Sequence, residues 1–263
     1  MGTLLKWDED GQRFYETGTK MGVLYVKNSS GAYPNGVAWS GLTGVTQSPE
    51  GAEANDLYAD DIKYLSMRSA ETLSGTITAY QFPEEFEQCD GYASPASGLT
   101  IGQQARKSFG LCYRTVLGND TDGDAYGYKL HLIYGCTASP SERAYQTVND
   151  SPEAIEFSWE FDTTPVNVEG YKPTSLIELD SEKIGSTKMA AIEAILYGTE
   201  GTYTATSDST PQANKTYYTK SGDVYSEFTG QTFDNGTTYY VMTGGVAARL
   251  PLPNEIISIV SEE

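Results

Sequence analysis

Residues 153–164 read EAIEFSWEFDTT. At a period of two the stretch sets Ile155, Phe157, Trp159 and Phe161 on one side and Glu156, Ser158, Glu160 and Asp162 on the other, which predicts a strand with one oily and one acidic face. Carboxylates stacked along one face repel each other and are tolerated only where water and counter-ions screen them. The acidic face therefore borders water, and the aromatic face builds a core. An ordinary solvated sheet face shows this alternation, and so does a water-filled surface that must stay anionic.

Outward from this strand, the composition favours a β-rich fold. The 263 residues include 20 Tyr and 27 Gly, with frequent turn signals, and the length allows one or two domains. Trp7–Tyr33 reads as an extended arm with strand pieces near Phe14 and at Val23–Val26. Gly36–Thr46 is strand-like, and Gln47–Asp61 (QSPEGAEANDLYADD) reads as a long acidic loop, a length that is usually functional or disordered. Ile62–Arg68 and Glu71–Tyr80 predict a hairpin with each other, and PEEFEQC after Pro83 predicts a short helical turn. Strands are expected at Lys107–Leu117, Gly127–Tyr134 and Thr174–Asp180. One long helix follows, capped by Ser186, striped by Met189, Ile192, Ile195 and Leu196, and stopped at Gly198. Residues 199–245 change character to a Tyr/Thr-rich β module inserted in the core (1–198 with 246–263), and the tail ARLPLPNEIISIVSEE is readable as strand or helix.

The net charge of −19 opposes tight binding to phosphate backbones and anionic membranes. Cys89, Cys112 and Cys136 are odd in number and widely spaced, which fits reduced thiols of a cytoplasm. The start MGTLLKWDED lacks a signal-peptide run, Lys6 stands where a myristoylation motif needs Ser or Thr, and no apolar run is long enough to span a bilayer. The sequons at Asn28, Asn119, Asn149, Asn214 and Asn235 are then chance occurrences. His131 is the sole histidine, so any His-based catalysis must use it, and a hydrogen-bonded strand histidine is the plainer reading. Cys136 follows it closely, but two further zinc ligands at sensible spacing are missing. Asp120, Asp122 and Asp124 imitate the start of a calcium loop, yet Ala125 and His131 occupy its Gly and Glu positions. Phosphate-binding Gly-rich loops are absent, so the sequence makes no case for an enzyme, a cofactor or a metal.

Several runs together resemble the major tail tube protein of long-tailed bacteriophages and prophages: YETG (15–18), GVLY (22–25), GVAWSGLTGV (36–45), SPEGAEANDLYADDIKYL (48–65), IGQQARKSFGLCYRT (101–115), GYKLHLIYG (127–135) and NDSPEAIEFSWEFDTTPV (149–166), continuing in AAIEAILYG and LPLPNE. The Tyr-rich insert departs from the simplest members. The resemblance implies a mainly β, sandwich- or barrel-like subunit with one flanking helix. It implies self-assembly as stacked hexameric rings, in the host cytoplasm, into a virion tail of the non-contractile kind. The partners it implies are the tape measure protein, the tail terminator and the baseplate or distal tail proteins, with DNA passing through without sticking and no membrane. Within that frame Glu156, Glu160 and Asp162 are expected to face the lumen. Pro49, Glu50, Glu53, Asp56, Leu57 and Tyr58 are expected to form an inter-subunit loop, and the insert to lie on the outer surface. The rival reading is a binding module of a tail fibre or baseplate, whose tyrosines stack on host glycans.

Overall fold

The computed structural model describes residues 4–51, 53–68, 71–145, 147, 154–212, 215–222, 224–234 and 236–261. The N-terminal segment is one long strand, β1 (Phe14–Val26), rather than two pieces on an arm. Its register against a later strand shifts between Thr17 and Val23, where Gly18 and Met21 take positive φ of 72° and 55°. Those bulges hide a 13-residue strand from a period-two reading. Next come β2 (Val37–Trp39) and β3 (Leu42–Gly51), then β4 (Ala54–Ala59), β5 (Ile62–Arg68) and β6 (Glu71–Ala79).

Two expectations fail in this region. The 47–61 stretch is not a loop: it is the end of β3 and all of β4. Nor do residues 62–68 pair with 71–80. β5 pairs with β4, while β6 pairs with β3. The physical reason lies at Asp60 and Asp61, both at positive φ (51° and 59°). With Ala59 opposite Ile62, they form the two-residue turn whose twist suits a hairpin. Gly51 opposes Glu71, so the chain leaves the sheet, runs out along β4, turns, and returns along β5 as a two-stranded arm.

After the predicted helical turn, observed at Glu84–Phe86, a small hairpin of β7 (Ala93–Ala96) and β8 (Leu99–Ile101) precedes the two longest central strands, β9 (Phe109–Asn119) and β10 (Gly123–Ala138). β11 (Phe157–Thr163) and β12 (Leu176–Asp180) follow. The main sheet is ordered β2-β1-β9-β10-β11-β6-β3, with β12 also on β10. It curls until Leu42 at the head of β3 lies against Gly22 of β1. The result is a mainly β, sandwich-like body. β11 is shorter than its predicted span: Glu153 lies outside the described residues, and Ile155, before the strand, is exposed.

Each face of the sheet builds a core. Inside the curl lie Leu24, Trp39, Ile77, Phe86, Phe109, Leu111, Ile133, Trp159 and Phe161. On the outer face of the central strands, Tyr25, Cys112, Leu130, Leu132 and Tyr134 receive the helices. The expected helix is α2 (Ser186–Tyr197), burying Met189, Ile192 and Leu196 and ending at Gly198 with φ 75°. Ser186 is its first residue rather than its cap, because a separate turn, α1 (Ser181–Ile184), precedes it and is capped by Asp180, whose carboxylate accepts from the Glu182 N–H at 3.0 Å. The tail settles as a third helix, α3 (Pro253–Ser261), with Ile256 buried. Among the described residues three α-helical segments thus flank the sheet where one was expected.

Asp90 ties the inner core together. Only 5% exposed, its Oδ2 accepts from Trp159 Nε1 at 3.0 Å and from Arg143 Nη2 at 2.5 Å, while its carbonyl accepts from Arg106 at 3.0 Å. Removing the carboxylate strands a half-buried guanidinium and a buried indole N–H. Asp90→Ala should lower stability by about 3–5 kcal/mol, read as a shifted urea midpoint with an unchanged slope.

The insert forms its own sheet, β13 (Thr202–Ala205), β14 (Tyr217–Ser221), β15 (Val224–Phe228) and β16 (Tyr239–Thr243), in the order β13-β16-β14-β15. It is an internal duplication with a period of 22 residues. Tyr203, Tyr217, Tyr218 and Gly222 recur as Tyr225, Tyr239, Tyr240 and Gly244. Pairings recur with them: Tyr203↔Met242 maps onto Tyr225↔Lys220, and Tyr217↔Val241 onto Tyr239↔Thr219. Even the loop hydrogen bonds repeat, Gln212 N–H to Tyr217 Oη and Asp234 N–H to Tyr239 Oη. A Thr199↔Val246 bridge closes the base of the module.

Candidate functional site

β11, β6 and β3 lie side by side in register. Phe161 opposes Gly75, and Gly75 opposes Gln47; one step along, Glu160 opposes Thr76, which opposes Thr46. Because strand side chains alternate, the three strands divide every residue between the aromatic core and a second, outward face. The core side is tightly set. A Cβ on Gly75 would lie 2.2 Å from the Thr46 carbonyl oxygen and 2.6 Å from the Phe161 ring, so glycine is required for these strands to lie together under that ring.

The outward face carries Thr46, Ser48 and Glu50 from β3, Ser74, Thr76 and Thr78 from β6, and Ser158, Glu160 and Asp162 from β11. Glu156 joins it just before β11, accepting from Thr43 Oγ1 at 2.5 Å, and Thr43 also meets Thr78 Oγ1 at 2.8 Å. Ser74 Oγ donates to the Ser48 carbonyl at 3.1 Å and to Glu50 Oε1 at 3.2 Å. This is a surface of short hydroxyls and four exposed carboxylates, with no lysine or arginine among these residues. Glu160 and Asp162 stand roughly 6.6 Å apart at strand spacing, close enough to repel and far enough to share solvent. The three residues predicted from the sequence are brought onto one face, and Glu50, assigned there to a loop, is the fourth member.

Among the described residues no strand pairs with the far side of β3. Pro49 sits in it, opposite Leu73, and such a residue is tolerated at a sheet edge because it has no N–H to offer a neighbour. Beyond it the arm exposes Leu57, Tyr58, Ile62, Tyr64, Leu65 and Met67, at 42–75%. Within it Asp56 pairs with Lys63 at 2.8 Å and accepts from Ser66 at 2.6 Å, and those two partners hold its carboxyl below the ordinary carboxylate value. An isolated two-stranded ribbon is marginal in water. Asp56, Leu57 and Tyr58 lie in β4, while Glu53 is exposed just before it.

The chemistry sought at single residues resolves into structure. His131 is buried, stacked on Tyr113 with centroids 4.7 Å apart, and its Nε2 lies 2.9 Å from Thr115 Oγ1 and 3.2 Å from Glu16. All three thiols are buried and free. Burial pushes the Cys89 and Cys112 thiols up to about 12 and Cys136 further, so they stay protonated and unreactive. Among the described residues no group of three or more His, Cys, Asp or Glu could hold a metal. Asp120 serves instead to accept from the Gly11 and Arg13 N–H groups. Of the sequons, Asn119 is buried and Asn28 closes a turn to Ser30 and Ala32; Asn149, Asn214 and Asn235 lie outside the described residues. Among the described residues no helix is long and apolar enough to cross a membrane.

The module's tyrosines pack on one another. Tyr203 stacks on its repeat mate Tyr225 at 3.9 Å, and each meets a further tyrosine edge-on, Tyr218 and Tyr240. Beneath them Tyr217, Phe228, Phe233 and Tyr239 form a second cluster. In comparisons with known proteins, a family model described as phage tail tube protein matches residues 20–207. No curated protein matches the chain.

Proposed function

The chain belongs to the phage tail tube protein family, matched over residues 20–207, and from that premise we propose that it polymerises as stacked hexameric rings into a hollow tail tube with an anionic bore. The observation that carries this reading is the outward face of β3, β6 and β11: hydroxyls and carboxylates without a cation, backed by the aromatic core. Glu156, Glu160, Asp162 and Glu50 line the bore. DNA carries a negative charge about every 1.7 Å along its axis, so a basic wall would grip it, whereas an acidic one repels it over a Debye length of about 8 Å. The tape measure protein fills this bore before delivery, and terminator and baseplate proteins cap the tube's ends.

Assembly uses the two unfinished features of the protomer. The free edge of β3 invites a strand from a neighbour, and joining edge to edge into a shared barrel removes an aggregation hazard. The apolar arm of β4 and β5, which holds Asp56, Leu57 and Tyr58 and is preceded by Glu53, packs on an adjacent copy. The insert projects outward and is decorative. Its tyrosines pack on one another, which favours a self-contained module over a glycan-binding one.

Electron microscopy of the purified protein at rising concentration tests the reading. Rings or tubes are expected from the intact chain and equally from a chain lacking residues 200–245, closed at the Thr199↔Val246 bridge. Discrete particles at every concentration would sink the proposal, and loss of tubes in the shortened chain alone would assign the module a role in assembly.

A further inference from the structure

A second unfinished pair of surfaces lies away from both the bore and the arm. At the N-terminus Leu4, Leu5 and Trp7 are 85%, 71% and 76% exposed, although Trp39 and Trp159 are at 3% and 1%. The chain behind them is pinned: the Gly11 and Arg13 N–H groups donate to Asp120 in the β9–β10 turn, and Arg13 Nη2 donates to the Asp8 carbonyl at 2.8 Å. Elsewhere, between α3 and the segment leading into β12, an apolar groove of about 360 Å³ opens, lined among others by Val168, Tyr171, Ile177, Ile257 and Val260, with Lys172 beside them. Tyr171 is 75% exposed and Ile257 37%.

Resting on the tube reading, we propose that residues 4–7 of one copy dock in the α3 groove of another, tying neighbours together like a strap. Reach excludes the protomer's own groove. Leu179, the groove residue nearest the N-terminal segment along β10, is opposite Leu130, and Gly123 is opposite Asn119 beside the pinning turn. Seven residues of strand span roughly 23 Å, whereas Trp7 stands four residues before Gly11, whose N–H is pinned to Asp120, and so reaches at most about 14 Å from that turn. Charge fits as well as shape. Asp8, next to Trp7, and Lys172, at the groove, each lack an ion-pair partner among the described residues. Docking brings the two together at the groove mouth while the leucines and the indole leave water.

The test uses the full chain assembled into tubes. Trp7→Cys with Ile257→Cys, oxidised mildly, should give a ladder of disulfide-linked multimers on a non-reducing gel, and neither single variant should; the buried native thiols do not compete. In the unsubstituted protein, acrylamide should quench Trp7 in monomers and lose access to it on assembly, with Trp7→Phe as the blank. Tubes that give no ladder and keep Trp7 accessible overturn the strap and leave the tube reading standing. A protein that stays monomeric at every concentration removes both.

Discussion

Replacing Glu156, Glu160 and Asp162 together by lysine should leave tubes intact and cut genome delivery by about 100-fold or more. The fold tolerates the change because these side chains are exposed and point away from the Trp159–Phe161 core. Surface substitutions of this kind usually move stability by less than about 0.5 kcal/mol. The bore, in contrast, changes character. A lysine-lined ring repeated along a tube offers phosphate contacts at every level, and a protein making about six to ten such contacts changes its DNA affinity about 10³- to 10⁵-fold between 50 and 200 mM salt. The defect should therefore be salt-sensitive: DNA release from purified particles should recover as salt rises, while particles with the wild-type wall respond little. The controls are electron micrographs showing tubes of normal length and the titre of Thr46→Ser, a change on the same face without charge. Normal delivery by the lysine variant would mean that this face does not line the bore.

The part of this arrangement that can be read in the sequence is the part where one physical rule acts alone. β11 is legible because Trp159 and Phe161 must hide and Glu160 and Asp162 must not. The helix stripe of Met189, Ile192 and Leu196 is legible for the same reason. Where two rules compete, reading fails. β1 reads as separate pieces because Gly18 and Met21 bend it, and α3 is ambiguous in sequence because nine residues, four of them Ile or Val, satisfy either period. The arm escapes a sequence reading for a different cause: its residues make no core in the protomer, so no burial pattern marks them. The signal that marks it is Asp60-Asp61 between Tyr58 and Ile62, a turn pair with a strand former two residues before and one just after. The 22-residue duplication was also visible in KTYYTKSG and TTYYVMTGG, whose spacing and pairing the structure shares. What no single chain displays is the surface another copy will cover. Exposed apolar groups mark it only indirectly.

Removing the arm should abolish polymerisation without unfolding the body. Joining Gly51 to Glu71 through a short Asn-Gly turn closes β3 on β6 where they are already paired, and nothing in either core is lost, since every residue of β5 and nearly all of β4 is exposed. The shortened protein should keep its thermal midpoint and run as a monomer at concentrations where the intact chain forms tubes. A gentler version separates the arm's packing from its mere presence. Tyr58→Asp with Tyr64→Asp keeps the ribbon and removes two large apolar surfaces, each contributing about 1.5–3 kcal/mol when fully buried. Together that is roughly 3–6 kcal/mol per contact, or about a 10²- to 10⁴-fold rise in the concentration needed for assembly. Sedimentation across a dilution series measures it directly. Should the double aspartate variant assemble at the wild-type threshold, the arm points into solvent in the tube as it does in the protomer, and the contact that stacks the rings must come from β3's edge or from the N-terminal strap.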